Sequence, residues 1–249
     1  MTSTDIIAKE IEEKLLVREF FGNKRNGFFI EVGANEPDPI FSQSMHLENE
    51  LSWSGILVEP IDYLAEKKSE LRPSCQVLEF ACTKSNDSSV AELHIPVTEN
   101  GDISGHASLE LNIDHSSTNK TRKLKVKTTT LDDIIQTHAY GKHIDLLSVD
   151  VEGTELDVLI GANLKVHQPS LIIVEDRLVL LGKHLFLKKL GYKFFRRTGF
   201  NNWYTKDVPK GATSSRNQIN LFRKVYLSSW IKRIREAIRM RTLSLFTQI

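Results

Sequence analysis

One apolar run carries the residues best suited to chemistry. Ile144, Leu146, Leu147, Val149 and Val151 lead into Asp150, Glu152 and Glu155, which surround a glycine, Gly153. A run of this kind reads as a buried strand, and in an open α/β sheet the carboxyl end of such a strand faces the ligand crevice. Carboxylates there are costly to desolvate unless a ligand, a proton or a cation uses them. A second run, Leu171 to Val174, ends in Glu175-Asp176. Asp150 is the first candidate for a general base, with Glu152 and Glu175 next. Asp150, Glu175 and Asp176 also make an all-oxygen set of the kind that holds Mg²⁺ or Mn²⁺; the alternative is hydrogen bonding to substrate hydroxyls. Glu155 lies two residues into the following helix, where an acid favours the helix N-terminus, so a structural role is equally open.

Two earlier strands supply a second set. Phe28 to Val32 ends in Gly33-Ala34, small residues that let a ligand approach the backbone after a first strand. Gly55 to Val58 ends in Glu59, 26 positions after Gly33. That is where α/β nucleotide folds hold a ribose diol, because a carboxylate accepts both hydroxyl protons. The segment Gly-Ala-Asn-Glu-Pro-Asp-Pro, 33–39, lacks the G-x-G-x-x-G spacing that cradles a pyrophosphate. A ligand with a ribose and no phosphates suits it better. S-adenosylmethionine (SAM) is one, and acids such as Glu31 and Asp150 complement its cationic sulfonium.

The elements that must position these residues follow from periodicity. Helices are expected at 5–20 (Ile6, Ile7, Ile11, Leu15 and Leu16 on one face), 42–51, 63–71, 131–138 with Thr130 as N-cap, 154–164 and 180–190. Strands are expected at 28–32, 55–58, 76–82, 123–130, 144–151, 171–175, 192–197, 202–205 and 218–223. Residues 85–121 read as a hairpin with a strand around Leu93, then a polar loop holding Gly101, Gly105 and His106. Strands alternating with helices, then a β-rich end, imply a parallel sheet finished by an antiparallel pair.

The order Phe-Ile-Glu-Val-Gly-Ala-Asn, Trp-Ser-Gly-Ile-Leu-Val-Glu-Pro, Thr-Thr-Leu-Asp-Asp-Ile-Ile, Ile-Asp-Leu-Leu-Ser-Val-Asp-Val-Glu-Gly-Thr-Glu-Leu-Asp-Val-Leu and Ile-Ile-Val-Glu resembles the FkbM family of SAM-dependent methyltransferases, from about Gly27 to Thr205. The resemblance implies the class I methyltransferase (Rossmann-like) fold, a mostly parallel seven-stranded sheet flanked by helices with an antiparallel strand at the end. It implies methylation of a hydroxyl on a sugar, glycan or glycosylated small molecule. It further implies that Glu31, Gly33 and Asn35 hold the methionine end of SAM, with Ala34 beside them in the cofactor site, that Glu59 takes the ribose, and that Ala81 flanks the adenine. Pro37 stands where the family usually has a second glycine, so the loop after Asn35 takes a different path.

In methyl transfer the acceptor oxygen must be held in line with the donor methyl, and positioning supplies a large share of the rate. A base adds roughly 10²–10⁴. Asp150, Glu152 and Glu175 are candidates for this role, and His106 in Ser-Gly-His-Ala-Ser is a further one. The remaining readings are a catalytically inactive protein of the same fold that binds or scaffolds, and a methyltransferase acting on a protein.

The composition, 40% hydrophobic and 26% charged over 249 residues, is that of a globular chain. Cys75 and Cys82 do not make a disulfide framework, and on one strand their spacing of seven would put them on opposite faces. A cytoplasmic location, peripheral to a membrane, is expected. The net charge of +1 hides an asymmetry: eight basic residues and Glu236 lie from Arg216 onward, a balance of +7 that leaves −6 for the body. The domains are read as an N-terminal helix (1–25), a catalytic domain (26–223) and a basic amphipathic tail (224–249). In the tail Trp230, Ile231, Ile234 and Ile238 share one helical face, while Lys232, Arg233, Arg235 and Arg239 lie opposite. This suits a helix lying on an anionic membrane surface, or a terminal helix packed on the body with a solvated basic face. No nucleic-acid partner is expected, since aromatic and basic residues do not interleave and the body is acidic.

Overall fold

A computed structural model of the chain describes residues 3–34, 39–96, 109 and 121–240. The chain divides into two compact units, Met1–Pro169 and Ser170–Ile249. The first opens with α1 (Ser3–Phe20), β1 (Phe28–Val32), α2 (Met45–Leu51), β2 (Ser54–Val58), α3 (Asp62–Leu71) and β3 (Cys75–Leu78). It continues with β4 (Ala81–Thr83), β5 (Val90–Pro96), β6 (Thr121–Thr130), α4 (Leu131–His138), β7 (Leu146–Val149), α5 (Glu155–Ile160) and α6 (Leu164–His167).

Four of its strands lie parallel in the order β3-β2-β1-β7. Every residue of β1 and β7 is buried. That is why these strands read as near-continuous apolar runs rather than alternating ones. β4, β6 and β5 form a separate three-stranded sheet over a small apolar core of Ile61, Leu64, Ala81, Leu93, Ile95 and Val126. Thr130 caps α4 as its spacing predicts, its hydroxyl accepting the Asp133 N–H at 3.1 Å.

The second unit contains β8 (Leu171–Glu175), α7 (Gly182–Lys189), β9 (Lys193–Thr198) and β10 (Asn201–Thr205), with β10 antiparallel to both β8 and β9. α8 (Ser215–Phe222), a π-helical stretch at Arg223–Ser228 and α9 (Ser229–Met240) follow as one helical run. The chain is thus a mixed α/β protein of the Rossmann-like type, with parallel strands in the first unit and an antiparallel set late in the chain.

Four local expectations are corrected. Residues 76–82 are not one strand: Phe80 N–H turns back to the Leu78 carbonyl (3.2 Å), and β3 and β4 enter different sheets. Residues 218–223 are helix, started by Ser214, whose hydroxyl accepts the Asn217 N–H at 3.2 Å, with Leu221 and Val225 buried one turn apart. In α1 the stripe of Ile11 and Leu15 faces solvent, while Glu13 and Val17 are buried. The helix read at 154–164 ends at Ile160 and restarts at Leu164.

Candidate functional site

The first unit has one topological switch point. Chain order runs outward from β1 through β2 to β3 on one side, while β7 pairs with the other side of β1. Loops leaving β1 and β7 therefore diverge, and the crevice between them is where open α/β sheets bind ligands. Gly33 and Asp150 are the first residues after these two strands, and they touch. The Asp150 N–H donates to the Val32 carbonyl (3.0 Å). Gly33 has φ +81°, and a Cβ there would lie 1.7 Å from the Asp150 carbonyl oxygen. Only glycine meets both conditions, so the small residue read as room for a ligand first makes room for the neighbouring strand's exit. The Gly33 and Ala34 N–H groups both donate to the Val58 carbonyl, at 3.1 and 3.3 Å, which ties the β2 exit to the same place.

Glu59 follows β2 directly and is 3% exposed. Its N–H donates to the Leu78 carbonyl (3.0 Å), and one carboxylate oxygen accepts the Ile61 N–H (3.1 Å). The backbone thus holds the side chain in one orientation at the strand end. Ala34 is buried, and its carbonyl accepts the ammonium of Lys68 at 2.6 Å. Lys68 comes from α3 and is fully buried. On the far side of the loop, Lys14 of α1 donates to the carbonyls of Pro39 and Ile40. Two lysines therefore fix the ends of the segment to which Asn35 and Pro37 belong. Those two residues lie outside the described residues, as does His106.

Glu31 takes a different role from its strand-end neighbours. Its buried carboxylate accepts the Gln43 N–H (3.0 Å) and the hydroxyls of Ser42 (3.4 Å) and Ser44. Ser42 and Ser44 also accept from the guanidinium of Arg72, at 3.2 and 3.0 Å. Arg72 pairs with Glu48, whose other oxygen takes the Ser74 N–H at 3.0 Å. The result is a buried, hydrogen-bonded network joining β1, α2 and the end of α3. Ala81 is likewise occupied, within the apolar core beside β5 and β6.

The turn after β7 is tightly specified. Glu152 has φ +56° and Gly153 φ +127°. A non-glycine residue in the left-handed region costs of order 1–3 kcal/mol and is a mark of functional turns. Glu155 is buried and its carboxylate accepts the Gly153 N–H at 2.7 Å, closing the turn at the start of α5. Asp150 and Glu152 are half-buried beside it.

Within the second unit, Glu175 ends β8 opposite Asn201 of β10 and is half-buried. Asp176 is buried. Its carboxylate accepts the Leu178 N–H (2.8 Å) and the Asn202 amide (3.4 Å), with the Lys183 ammonium 3.7 Å away. Arg197 donates to the Asp176 carbonyl at 2.7 Å.

Lys14, Glu48, Lys68 and Arg72 were missed in the sequence. Leu64 and Lys68 of α3 and Arg72, which caps it just ahead of Pro73, are spaced four apart, while Leu71 of the same helix is exposed. Cysteine chemistry is disfavoured: burial pushes both the Cys75 and the Cys82 thiol up to about 12.

A family model described as the methyltransferase FkbM domain matches residues 31–194 of the 249, a span that starts at Glu31 and takes in Gly33, Glu59, the Asp150 turn and Glu175. No curated protein matches the chain at a significant level.

Proposed function

The chain belongs to the FkbM methyltransferase family, and we propose that it uses S-adenosylmethionine as donor and methylates a hydroxyl of a sugar, glycan or glycosylated small molecule. The observation that carries this reading is the backbone contact of Gly33 with Asp150 at the switch point, with Glu59 buried at the adjoining strand end. The residues suit the donor's chemistry: a buried carboxylate for a ribose diol, backbone in place of a phosphate cradle, and half-buried acids where a cation would lie.

Bound there, SAM supplies a methyl group on a cationic sulfonium. Glu59 accepts the ribose hydroxyls with its carboxylate, which the Ile61 N–H orients. Lys68 and Lys14 hold the ends of the β1 loop at Ala34 and Pro39–Ile40. Asp150 accepts the proton of the acceptor hydroxyl as its oxygen attacks, and Glu152 orients that hydroxyl. The strained turn fixes both acids before the acceptor arrives, which is where positioning lowers a barrier. Glu175 is assigned to acceptor hydroxyls from its own strand-end position. We assign Asp176 no cation, because its carboxylate already serves Leu178, Asn202 and Lys183.

The test is transfer from methyl-labelled SAM to a panel of mono- and oligosaccharides, followed by mild base. Label that survives base is an ether and supports hydroxyl methylation. Label released by base is a carboxyl ester and refutes it, as does no transfer to any hydroxyl.

A further inference from the structure

The helical run from Ser215 to Met240 turns the unexpected side outward. Its buried line is Leu221, Val225, Ser229 and Arg233, and it packs within the second unit. Two of its basic residues serve that packing: Lys232 donates to the Arg177 carbonyl and Arg233 to the Val179 carbonyl, each at 2.8 Å. The exposed side carries Ile219, Phe222, Tyr226, Leu227, Trp230, Ile231 and Ile238. Trp230 is 61% and Ile238 71% exposed. A surface helix ordinarily does the reverse, burying its apolar stripe and wetting its charges.

Among the described side chains, the charges that remain outward are of one sign. Arg216, Arg223, Lys224 and Arg235 are exposed. The run 215–240 holds seven basic residues against the single acid Glu236. No described helix is long and apolar enough to cross a membrane. An outward apolar stripe with a Trp and a Phe, bordered by cations, is the composition of a helix that lies in the headgroup layer of an anionic bilayer.

We propose that this face is a membrane-docking surface: the run from Ser215 to Met240 lies flat on an anionic lipid surface, its apolar side chains entering the acyl boundary and its exposed Arg and Lys meeting lipid phosphates. A second copy of the chain is the weaker occupant, because two such faces would bring like charges together. The inference does not depend on the methyl donor or acceptor.

The full chain is tested on phosphatidylcholine vesicles with and without about 30% phosphatidylserine, a content that gives the surface its negative potential. Tryptophan emission reports the face itself, since Trp53 and Trp203 are fully buried and Trp230 is exposed. Co-sedimentation with the anionic vesicles, a blue shift of that emission, and weakening by salt are expected. Trp230→Phe keeps sedimentation and loses the shift. Trp230→Ala weakens affinity roughly tenfold, from the area withdrawn, and Arg235→Gln about fivefold, the worth of one basic residue near such a surface. Because these side chains are exposed, the variants keep the wild-type melting temperature. No binding to anionic vesicles overturns the proposal. So does equal, salt-independent binding to both vesicle types, or a blue shift that survives in Trp230→Phe. Concentration-dependent dimerisation abolished by Trp230→Ala, without vesicle binding, transfers the face to a second copy.

Discussion

Two sets of acids in the first unit serve opposite ends. Glu31 and Glu48 are sunk in a network with Ser42, Ser44 and Arg72, where every carboxylate oxygen named has a donor. Glu59, Asp150 and Glu152 lie just past the ends of β2 and β7, where the Ile61 N–H holds the Glu59 carboxylate and Glu152 sits in the left-handed region. The difference teaches that an acid at the crevice end of a sheet is not catalytic by position alone. The first set locks α2 and the end of α3 to β1, which lies between the two strands whose ends present the second set.

The contrast can be broken from either side. The largest effect is expected at Asp150→Asn, which should cut turnover by roughly 10²–10⁴ if it removes a general base, while the urea midpoint stays close to wild type. An unchanged turnover would take Asp150 out of the chemistry. Arg72→Ala should do the converse. Removing one partner of a buried pair costs about 3–5 kcal/mol, so urea denaturation should show a large loss, while the folded fraction retains its activity. Equal stability would mean that the network does not hold the fold.

A smaller effect sharpens the boundary of the network. His46 is buried, and desolvation, with Lys14, Arg18 and Arg72 nearby, lowers its pKa to about 3. Between about pH 6.5 and 3 the unfolded chain takes up a proton that the folded chain refuses. His46 therefore costs stability as pH falls through that window, by at most about 1.4 kcal/mol per pH unit. His46→Leu should flatten the acid limb of a stability–pH curve there. A curve of unchanged slope would show that the ring can be protonated in place.

The strand ends were legible because a parallel sheet leaves a strong trace. Apolar runs such as Phe28–Val32 and Leu146–Val149 stop abruptly at a glycine or an acid, and the stop marks the strand end. Glu155 was legible as a helix-start acid, and it closes its turn on Gly153. The buried network was not, since Lys and Arg are almost never fully buried and so read as surface. The role of Glu31 was hidden for the same reason: nothing local reveals that Ser42 and Ser44 will return to it. Residues 218–223 misled because Ile219 and Leu221 suit a strand's period, while the helix is set by Ser214 and by Val225 beyond the window. The outward face of α9 was legible as a stripe, but which side packs depends on the carbonyls of Arg177 and Val179, far away in sequence.

The central claim is that the strand-end acids of the first unit, and not the buried network, hold the methyl donor. Calorimetric titration of the full chain with S-adenosylmethionine, wild type beside Glu59→Gln, tests it most directly. Saturable heat is expected for wild type. A loss of roughly 10–100-fold in affinity is expected for Glu59→Gln, the worth of charge-assisted bonds to the ribose hydroxyls, with an unchanged urea midpoint. No heat at millimolar ligand, or equal affinity in the two proteins, would contradict it.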